Sequence, residues 1–287
     1  MNIEKFQSVL SYTEFIREKS AKTMGIVFSV MAVITTFISV DEILDKLQCK
    51  SLILKIGILV GVCIICIIWN VLLYENKKSI IIYEKGRTRI QFEYGDIQRD
   101  YIKDNKEEPY TVVIPIDTEL NGVFDKDKIR KNSIHGYWIK QMETMGYSQA
   151  QIVPMVKTKM KANKDGTCEQ GTVCYLEGLR GNVNYLLAAT VTFNSDTKHF
   201  YCSRKQYYNG IHNIIEGINY LCSQGERVYM PLIGAGYARM GKTEAEMIPI
   251  MAELLVFNAD KLNNEIHIIV YEKRKNIIPI FSLLKKL

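Results

Sequence analysis

Two long runs of uncharged, apolar residues near the amino terminus constrain this chain more than any other feature of its sequence. Residues 24–40 and 56–74 contain no Asp, Glu, Lys or Arg, and the second run is 19 residues long. About 20 apolar residues at a rise of 1.5 Å span the roughly 30 Å hydrocarbon core of a bilayer. The sequence therefore predicts a transmembrane helical hairpin over 24–76, which the mean hydropathy of −0.04 hides by averaging.

Two other interpretations of these runs are less favoured. A helical hairpin buried in a large core would normally be amphipathic, and neither run is. A cleaved signal peptide would place its apolar stretch close to the amino terminus and before a small-residue cleavage site, whereas 23 residues precede the first run and no such site follows it.

Basic residues indicate the orientation of the predicted hairpin. They lie on both outer flanks: Lys5, Arg17, Lys19 and Lys22 before it, and Lys77, Lys78, Lys85 and Arg87 after it. The connecting loop offers Lys46 and Lys50 against three acidic residues, and Lys55 can extend toward the outer interface. The positive-inside rule then predicts a multi-pass protein of the inner membrane with both termini cytoplasmic. The predicted domains are a cytoplasmic segment 1–23, the hairpin 24–76 and a cytoplasmic domain 77–287.

Charge and cysteine content exclude several classes of function for the larger domain. Cys168, Cys174, Cys202 and Cys222 form no Cys-x-x-Cys pair and have no matching histidine spacing, so we expect no metal site and no cofactor. The net charge of +6 is mild and is not gathered into a dense basic stripe, which argues against nucleic acid as a partner.

Strands and helices alternate through the larger domain. Residues 79–93 predict two strands joined by a turn at Lys85–Gly86, and residues 110–115 predict a buried strand. Further strands are expected near 172–178, 185–193, 227–233 and 266–271, and helices over 133–146, over 204–223 and from Thr243. Residues 157–171 have the composition of a loop. The pattern predicts a three-layer α/β fold around a mixed sheet.

A glycine-bearing loop follows the predicted strand 227–233. Gly234 and Gly236 allow the backbone to turn tightly and to bring its N–H groups close to an anion. A helix begins a few residues later, and its amino end also favours an anion. A plain strand-to-helix turn is the alternative. Residues 236–243 also match the Walker A pattern, but only 44 residues follow Thr243, too few for the strands that a P-loop ATPase builds after this motif.

Two acidic residues follow other predicted strands. A carboxylate at a strand end, such as Asp96, can accept a hydrogen bond from an exocyclic amine such as adenine N6, although Gly-Asp is also a common turn pair. Asp117 follows the buried strand and begins a second glycine-bearing loop that includes Asn121 and Gly122. In open α/β sheets, ligands bind outside the carboxyl ends of the strands.

The ordered set of Gly95-Asp96-Ile97, a buried strand with a polar loop, and the sequence PLIGAGYARMG resembles the signature of macro domains, over residues 90 to 272 or so. These are three-layer folds that bind ADP-ribose and its derivatives. The resemblance implies that Asp96 and the Ile97 backbone hold adenine and that Tyr271 stacks on it. Asp117 would repel a nearby diphosphate unless it faces the ribose hydroxyls or a cationic substituent. It also implies two phosphate-binding loops, formed by Asn121, Gly122, Val123 and Phe124 and by Gly234, Ala235, Gly236, Tyr237, Ala238 and Arg239.

The same resemblance suggests a biological role. Macro-domain hydrolases usually carry asparagines after the buried strand, whereas this chain has Ile116-Asp117-Thr118, which favours binding over catalysis. Two transmembrane helices ahead of a macro domain resemble the membrane effector of type II Thoeris antiphage defence. That family implies an ADP-ribose-derived signal, free or conjugated to an amino acid, made by a TIR enzyme. It also implies a homo-oligomer that disrupts the lipid bilayer and kills the cell. A membrane-tethered ADP-ribosyl hydrolase is the competing hypothesis.

Overall fold

The computed structural model describes residues 17, 20–29, 52–76, 78–103, 108–123, 129–177, 179, 182–194, 199–234, 242–275 and 280. The chain divides into two compact units, Met1–Lys78 and Ser79–Leu287.

The first unit contains a helical stretch over 20–29 and helix α1, Leu52–Asn76. A polar contact joins them, because the Asn70 Nδ2 donates to Thr23 Oγ1 at 3.1 Å and to the Cys66 carbonyl at 2.8 Å. Asn70 is buried, whereas Ile65 and Trp69 on the same helix are 66% and 60% exposed. The described part of this unit is thus held by a buried amide and leaves an apolar surface uncovered.

The membrane prediction needs correction. Among the described residues, no helix has both the length and the apolar composition that crossing a bilayer requires. The described helical stretch of the first run ends at residue 29, and the rest of that run lies outside the described residues. The prediction of two transmembrane helices, and with it the multi-pass inner-membrane location, is therefore wrong.

The second unit is an α/β domain. Its strands are β1 Ser79–Lys85, β2 Thr88–Gly95, β3 Tyr110–Asp117, β4 Val173–Leu176, β5 Val183–Asn194, β6 His199–Tyr201, β7 Arg227–Pro231 and β8 Glu265–Tyr271. Its helices are α2 Ile97–Asp100, α3 Ile134–Thr144, α4 Gln149–Lys159, α5 Arg204–Leu221 and α6 Glu244–Phe257. The strand order is β1-β2-β8-β7-β3-β5-β4, and β6 pairs with β5. β2, β8, β7, β3 and β5 run parallel, while β1, β4 and β6 are antiparallel to their neighbours.

Helices cover both faces of the sheet. On β3, successive residues from Thr111 to Ile114 are all fully buried, which requires cover on both sides. Val112 and Ile114 face a core formed with α3 and α4, where Trp138 and Ile152 are completely buried. Helix α5 contacts β4 and β5, and it also packs against α6.

The predicted α/β fold with a mixed sheet is confirmed. The turn between β1 and β2 contains Gly86 at φ +62°, and α6 begins after Thr243, whose hydroxyl accepts from the Glu246 amide. Three elements differ from the prediction. Strand β6, His199–Tyr201, forms in a stretch for which the sequence predicts no element. Helix α4 runs into the segment that has the composition of a loop, and the four-residue helix α2 follows Asp96.

Candidate functional site

The order of the strands creates a crevice between β3 and β7. From β3 the chain continues to β4 and then β5 on one side, and from β7 it continues to β8 on the other, so the winding direction reverses between β3 and β7. β3 and β7 pair from Tyr110 to Val112, whereas β3 continues for five more residues to Asp117. A reversal of this kind opens a ligand site at the carboxyl ends of the strands. The predicted site residues follow those ends.

Asp96 and Tyr271 lie at neighbouring strand ends on one side of the crevice. Gly95 pairs with Tyr271, so Asp96 begins the turn beside the last residue of β8. The Tyr271 side chain is 44% exposed. The structure thus brings together two residues that are 175 positions apart in the chain.

The Asp96 carboxylate caps α2 through one of its oxygens. Asp96 Oδ1 accepts from the Gln98 amide at 3.1 Å and from the Arg99 amide at 3.3 Å. Within the described part of the chain, Asp96 Oδ2 and the Ile97 amide have no hydrogen-bond partner. An acceptor and a donor therefore stand side by side at the carboxyl end of β2.

An ion pair joins the two segments that flank this acceptor and donor. Arg99 Nη1 lies 3.0 Å from Glu272 Oε1, which links α2 to the residue after Tyr271. The same guanidinium contacts Asp100 at 2.6 Å. Both pairs are exposed, so they contribute little to stability, but they limit how far the turn after β2 can move from the end of β8.

The first residue of the glycine-bearing loop after β7 is held in place by packing. Gly234 has φ +88°, and a Cβ at this position would lie 2.7 Å from the Tyr207 ring and 2.8 Å from Met247 Cε. The Tyr207 hydroxyl also donates to the Ile233 carbonyl at 3.1 Å. Only glycine fits here, because both the backbone conformation and the space exclude a side chain. The remaining predicted residues of this loop lie outside the described residues: Ala235, Gly236, Tyr237, Ala238 and Arg239.

The start of α6 does not have the chemistry of a P-loop. Lys242, the lysine of the Walker-like pattern, forms an ion pair with Glu246 at 3.1 Å. The Thr243 hydroxyl bonds the same carboxylate at 3.1 Å instead of being available for a metal ion. Glu244 and Glu246 also put two acidic residues in the first turn, where a phosphate would meet like charge.

The loop after β3 is held by its own backbone. The Glu119 amide donates to Asp117 Oδ1, and the Thr118 amide donates to the Val191 carbonyl at 3.0 Å. Asn121 and Gly122 belong to a 3-10 turn, Leu120–Gly122, that ends at the buried Val123. Phe124 lies outside the described residues.

His135 is a residue of this loop region that the sequence does not point to. Its ring Nε2 lies 2.7 Å from the Val123 carbonyl, an acceptor, so Nε2 carries the proton and donates. Burial lowers the pKa of His135 to about 4, against a partial opposing effect of this hydrogen bond. A neutral histidine thus fixes the end of the predicted phosphate-binding segment, and no local pattern relates residues 123 and 135.

The fold and crevice define a three-layer α/β protein whose site lies at a reversal of strand order. A family model described as the macro domain of the Thoeris protein ThsA matches residues 90–271, more than half of the chain. The chain belongs to this family of macro domains.

Solved structures show similar folds. A variant of the Oceanobacillus iheyensis macrodomain has 13% identity and a TM-score of 0.48, over 73% of this chain and 97% of that chain. The Trypanosoma brucei macrodomain in complex with ADP-ribose has 10% identity and a TM-score of 0.41, over 72% of this chain and 73% of that chain. No curated protein matches the chain.

Replacing Gly234 tests whether the start of the loop after β7 requires glycine. We expect Gly234→Ala to lower the free energy of unfolding by about 2 to 4 kcal/mol, from the positive φ and the overpacking against Tyr207. Gly225→Ala is the matched control, because Gly225 has φ +81° with open space around it and should cost only about 1 kcal/mol. Urea unfolding measures both, and equal losses would contradict the predicted collision.

The neutral state of His135 predicts a pH dependence of stability. Between pH 6.5 and about 4 the unfolded chain binds a proton on this ring that the folded chain does not, so stability falls as pH falls. We expect His135→Gln, which keeps a side-chain N–H donor, to reduce the loss between pH 7 and pH 4.5 by about 2 kcal/mol. Parallel profiles for wild type and His135→Gln would contradict the assignment.

Proposed function

We propose that the domain binds ADP-ribose or a derivative of it and acts as a sensor for this nucleotide. The observation that carries the proposal is the pair formed by Asp96 Oδ2 and the Ile97 amide at the end of β2. Adenine presents an N6 amine as donor and N1 as acceptor on one edge. A carboxylate oxygen next to a backbone N–H matches that edge, and hypoxanthine reverses both positions.

The surroundings of this pair suit a base. The exposed Tyr271 ring offers a flat apolar surface on which adenine can stack. Lys273 Nζ lies 5.9 Å from the centre of that ring. An ion pair between Arg99 and Glu272 links α2 to the residue after Tyr271.

The two predicted phosphate-binding segments follow β3 and β7, the strands that border the crevice. One begins at Gly234 after β7 and extends through 239, and the other is 121–124 after β3. Both would bind a diphosphate through backbone N–H groups, which suits loops with glycines. In this arrangement Asp117 faces the distal ribose or its substituent. The related Trypanosoma brucei macrodomain was solved in complex with ADP-ribose.

We favour a sensor over a hydrolase. The chain has Asp117 where macro-domain hydrolases usually have asparagine, and its carboxylate accepts from the Glu119 amide. A carboxylate that already accepts a hydrogen bond from its own loop is less able to act as a general base toward water. The ADP-ribosyl hydrolase remains the competing function and is an outcome of the tests below.

The proposed role is that of an effector in antiphage defence. The signal is an ADP-ribose derivative, free or conjugated to an amino acid, made by a TIR enzyme, and its binding drives assembly of several copies. The exposed Ile65 and Trp69 of α1 support assembly, because a helix that leaves such side chains uncovered gains free energy by burying them. Membrane disruption and cell death are the proposed consequences of that assembly.

Replacing Asp96 tests whether its carboxylate recognises adenine. In Asp96→Asn, Oδ1 still caps α2, so Nδ2 replaces the free acceptor and meets the adenine N6 as donor against donor. We expect ADP-ribose affinity to fall about 10- to 100-fold, while the affinity for the hypoxanthine analogue changes much less. Calorimetry on the full-length protein measures both, with Asp165→Asn as the control. Unchanged preference in Asp96→Asn would contradict the base assignment.

Sensor and hydrolase make different predictions for the fate of the ligand. We expect ADP-ribose to increase the sedimentation coefficient of the full-length protein and to be recovered intact by chromatography. Release of ADP-ribose from an ADP-ribosylated peptide would instead establish the hydrolase. Leakage of dye from lipid vesicles on addition of protein and ADP-ribose measures membrane disruption, with protein alone as the control.

A further inference from the structure

Helix α2 carries the proposed adenine-binding pair but is only four residues long. A single turn is not stable by itself, because the cost of fixing its residues exceeds the gain from its few hydrogen bonds. The positions of Asp96 Oδ2 and the Ile97 amide therefore depend on what holds the two ends of the turn. At its amino end, Gly95 is fixed by its pairing with Tyr271.

Tyr101 holds the carboxyl end of the turn. It follows α2 directly, and its amide donates to the Ile97 carbonyl at 3.3 Å. The Tyr101 ring stacks on the Tyr229 ring with centroids 4.1 Å apart, and its hydroxyl donates to Glu93 Oε1 at 2.6 Å. One side chain thus connects the end of α2 to both β7 and β2.

Glu93 is prepared to accept this hydrogen bond. It lies on β2 two residues before Gly95, and its Oε2 contacts Gln91 Nε2 at 3.1 Å and His267 Nδ1 at 3.2 Å. Burial opposes ionisation of Glu93, but hydrogen bonds from His267 and Tyr101 outweigh it and hold the pKa of Glu93 below its ordinary value. Burial and the neighbouring Glu93 carboxylate raise the pKa of Tyr101, which keeps the phenol protonated as a donor.

Two other tyrosines fix the chain just beyond Tyr101. The Tyr110 hydroxyl donates to the carbonyls of Tyr101 at 3.0 Å and Lys103 at 2.7 Å. The Tyr185 hydroxyl donates to the Ile102 carbonyl at 2.7 Å. These contacts come from β3 and β5, so the segment after α2 is attached to the centre of the sheet. The remaining freedom of the turn lies between Gly95 and Tyr101.

We infer that Tyr101 and Glu93 are positioning residues for the adenine site: their hydrogen bond sets the α2 turn so that Asp96 and the Ile97 amide meet the edge of the base. This inference rests on the proposed function. Both side chains would act through the turn that carries Asp96 and Ile97. Their effect is on discrimination between bases, because only a ligand that uses the pair is sensitive to its alignment.

Tyr101→Phe in the full-length protein tests the inference, because it removes the hydroxyl and keeps the stacked ring. We expect the Kd for ADP-ribose to rise about tenfold while that for the hypoxanthine analogue changes little, so that the ratio of the two affinities falls about tenfold. Glu93→Leu, which removes the acceptor, should have the same effect. Glu93→Gln should keep a ratio near that of wild type, because its amide oxygen still accepts from Tyr101.

Tyr175→Phe is the matched control. Tyr175 is a buried tyrosine whose hydroxyl contacts a carboxylate, Glu226 Oε2 at 3.4 Å, close to the amino end of β7. We expect it to lower stability and leave the ratio of affinities unchanged. An unchanged ratio in Tyr101→Phe, or an equal fall in Tyr175→Phe, overturns the inference while the proposed function stands. Wild-type protein that fails to bind ADP-ribose overturns the proposed function and this inference with it.

Discussion

The separation of β3 from β7 is the structural constraint on which the candidate site depends. These two parallel strands pair near their amino ends and then part, because the chain leaves them in opposite directions across the sheet. Parallel strands place all their carboxyl ends at one edge, so each loop that follows a strand opens beside this crevice. The turn at Asp96, the loop at Asp117 and the loop at Gly234 come from distant parts of the sequence and are brought to one edge by this arrangement alone.

Local patterns were enough to predict most of the α/β domain. The β-branched run at 110–115 and the periodic apolar residues of α5 correspond to single elements whose burial follows from their own sequence. Helix α4 was missed because Pro154 and its polar residues obscure the period. The apolar runs near the amino terminus predict a helix but do not establish what surrounds it. The apolar composition therefore predicted correctly that α1 is a helix, but the prediction that it crosses a membrane was wrong.

The candidate site was predictable where a residue follows a strand and was not where a partner is remote. Asp96 directly follows β2, and Gly234 lies three residues beyond the end of β7, in positions that a sequence can reveal. Tyr207 lies beneath Gly234, and His135 bonds the Val123 carbonyl, through packing between elements that no local spacing records. The Walker-like pattern is the opposite case, a motif that is present in the sequence but does not form the site that it usually forms. Its lysine and threonine are present in sequence, yet both bond Glu246, so they serve as a helix cap.

Recognition of adenine does not by itself make a selective sensor, because ATP presents the same edge of the same base. Selectivity for an ADP-ribose derivative must therefore arise farther along the crevice, where the proposed site places the diphosphate and the distal ribose. There Asp117 puts a carboxylate at the end of β3. A negative charge at that position penalises the additional phosphate of ATP more than it penalises a ribose with its hydroxyls or a cationic substituent. Asp117 in place of asparagine thus has two consequences. It weakens the case for a hydrolase, and it favours a sensor that rejects ATP.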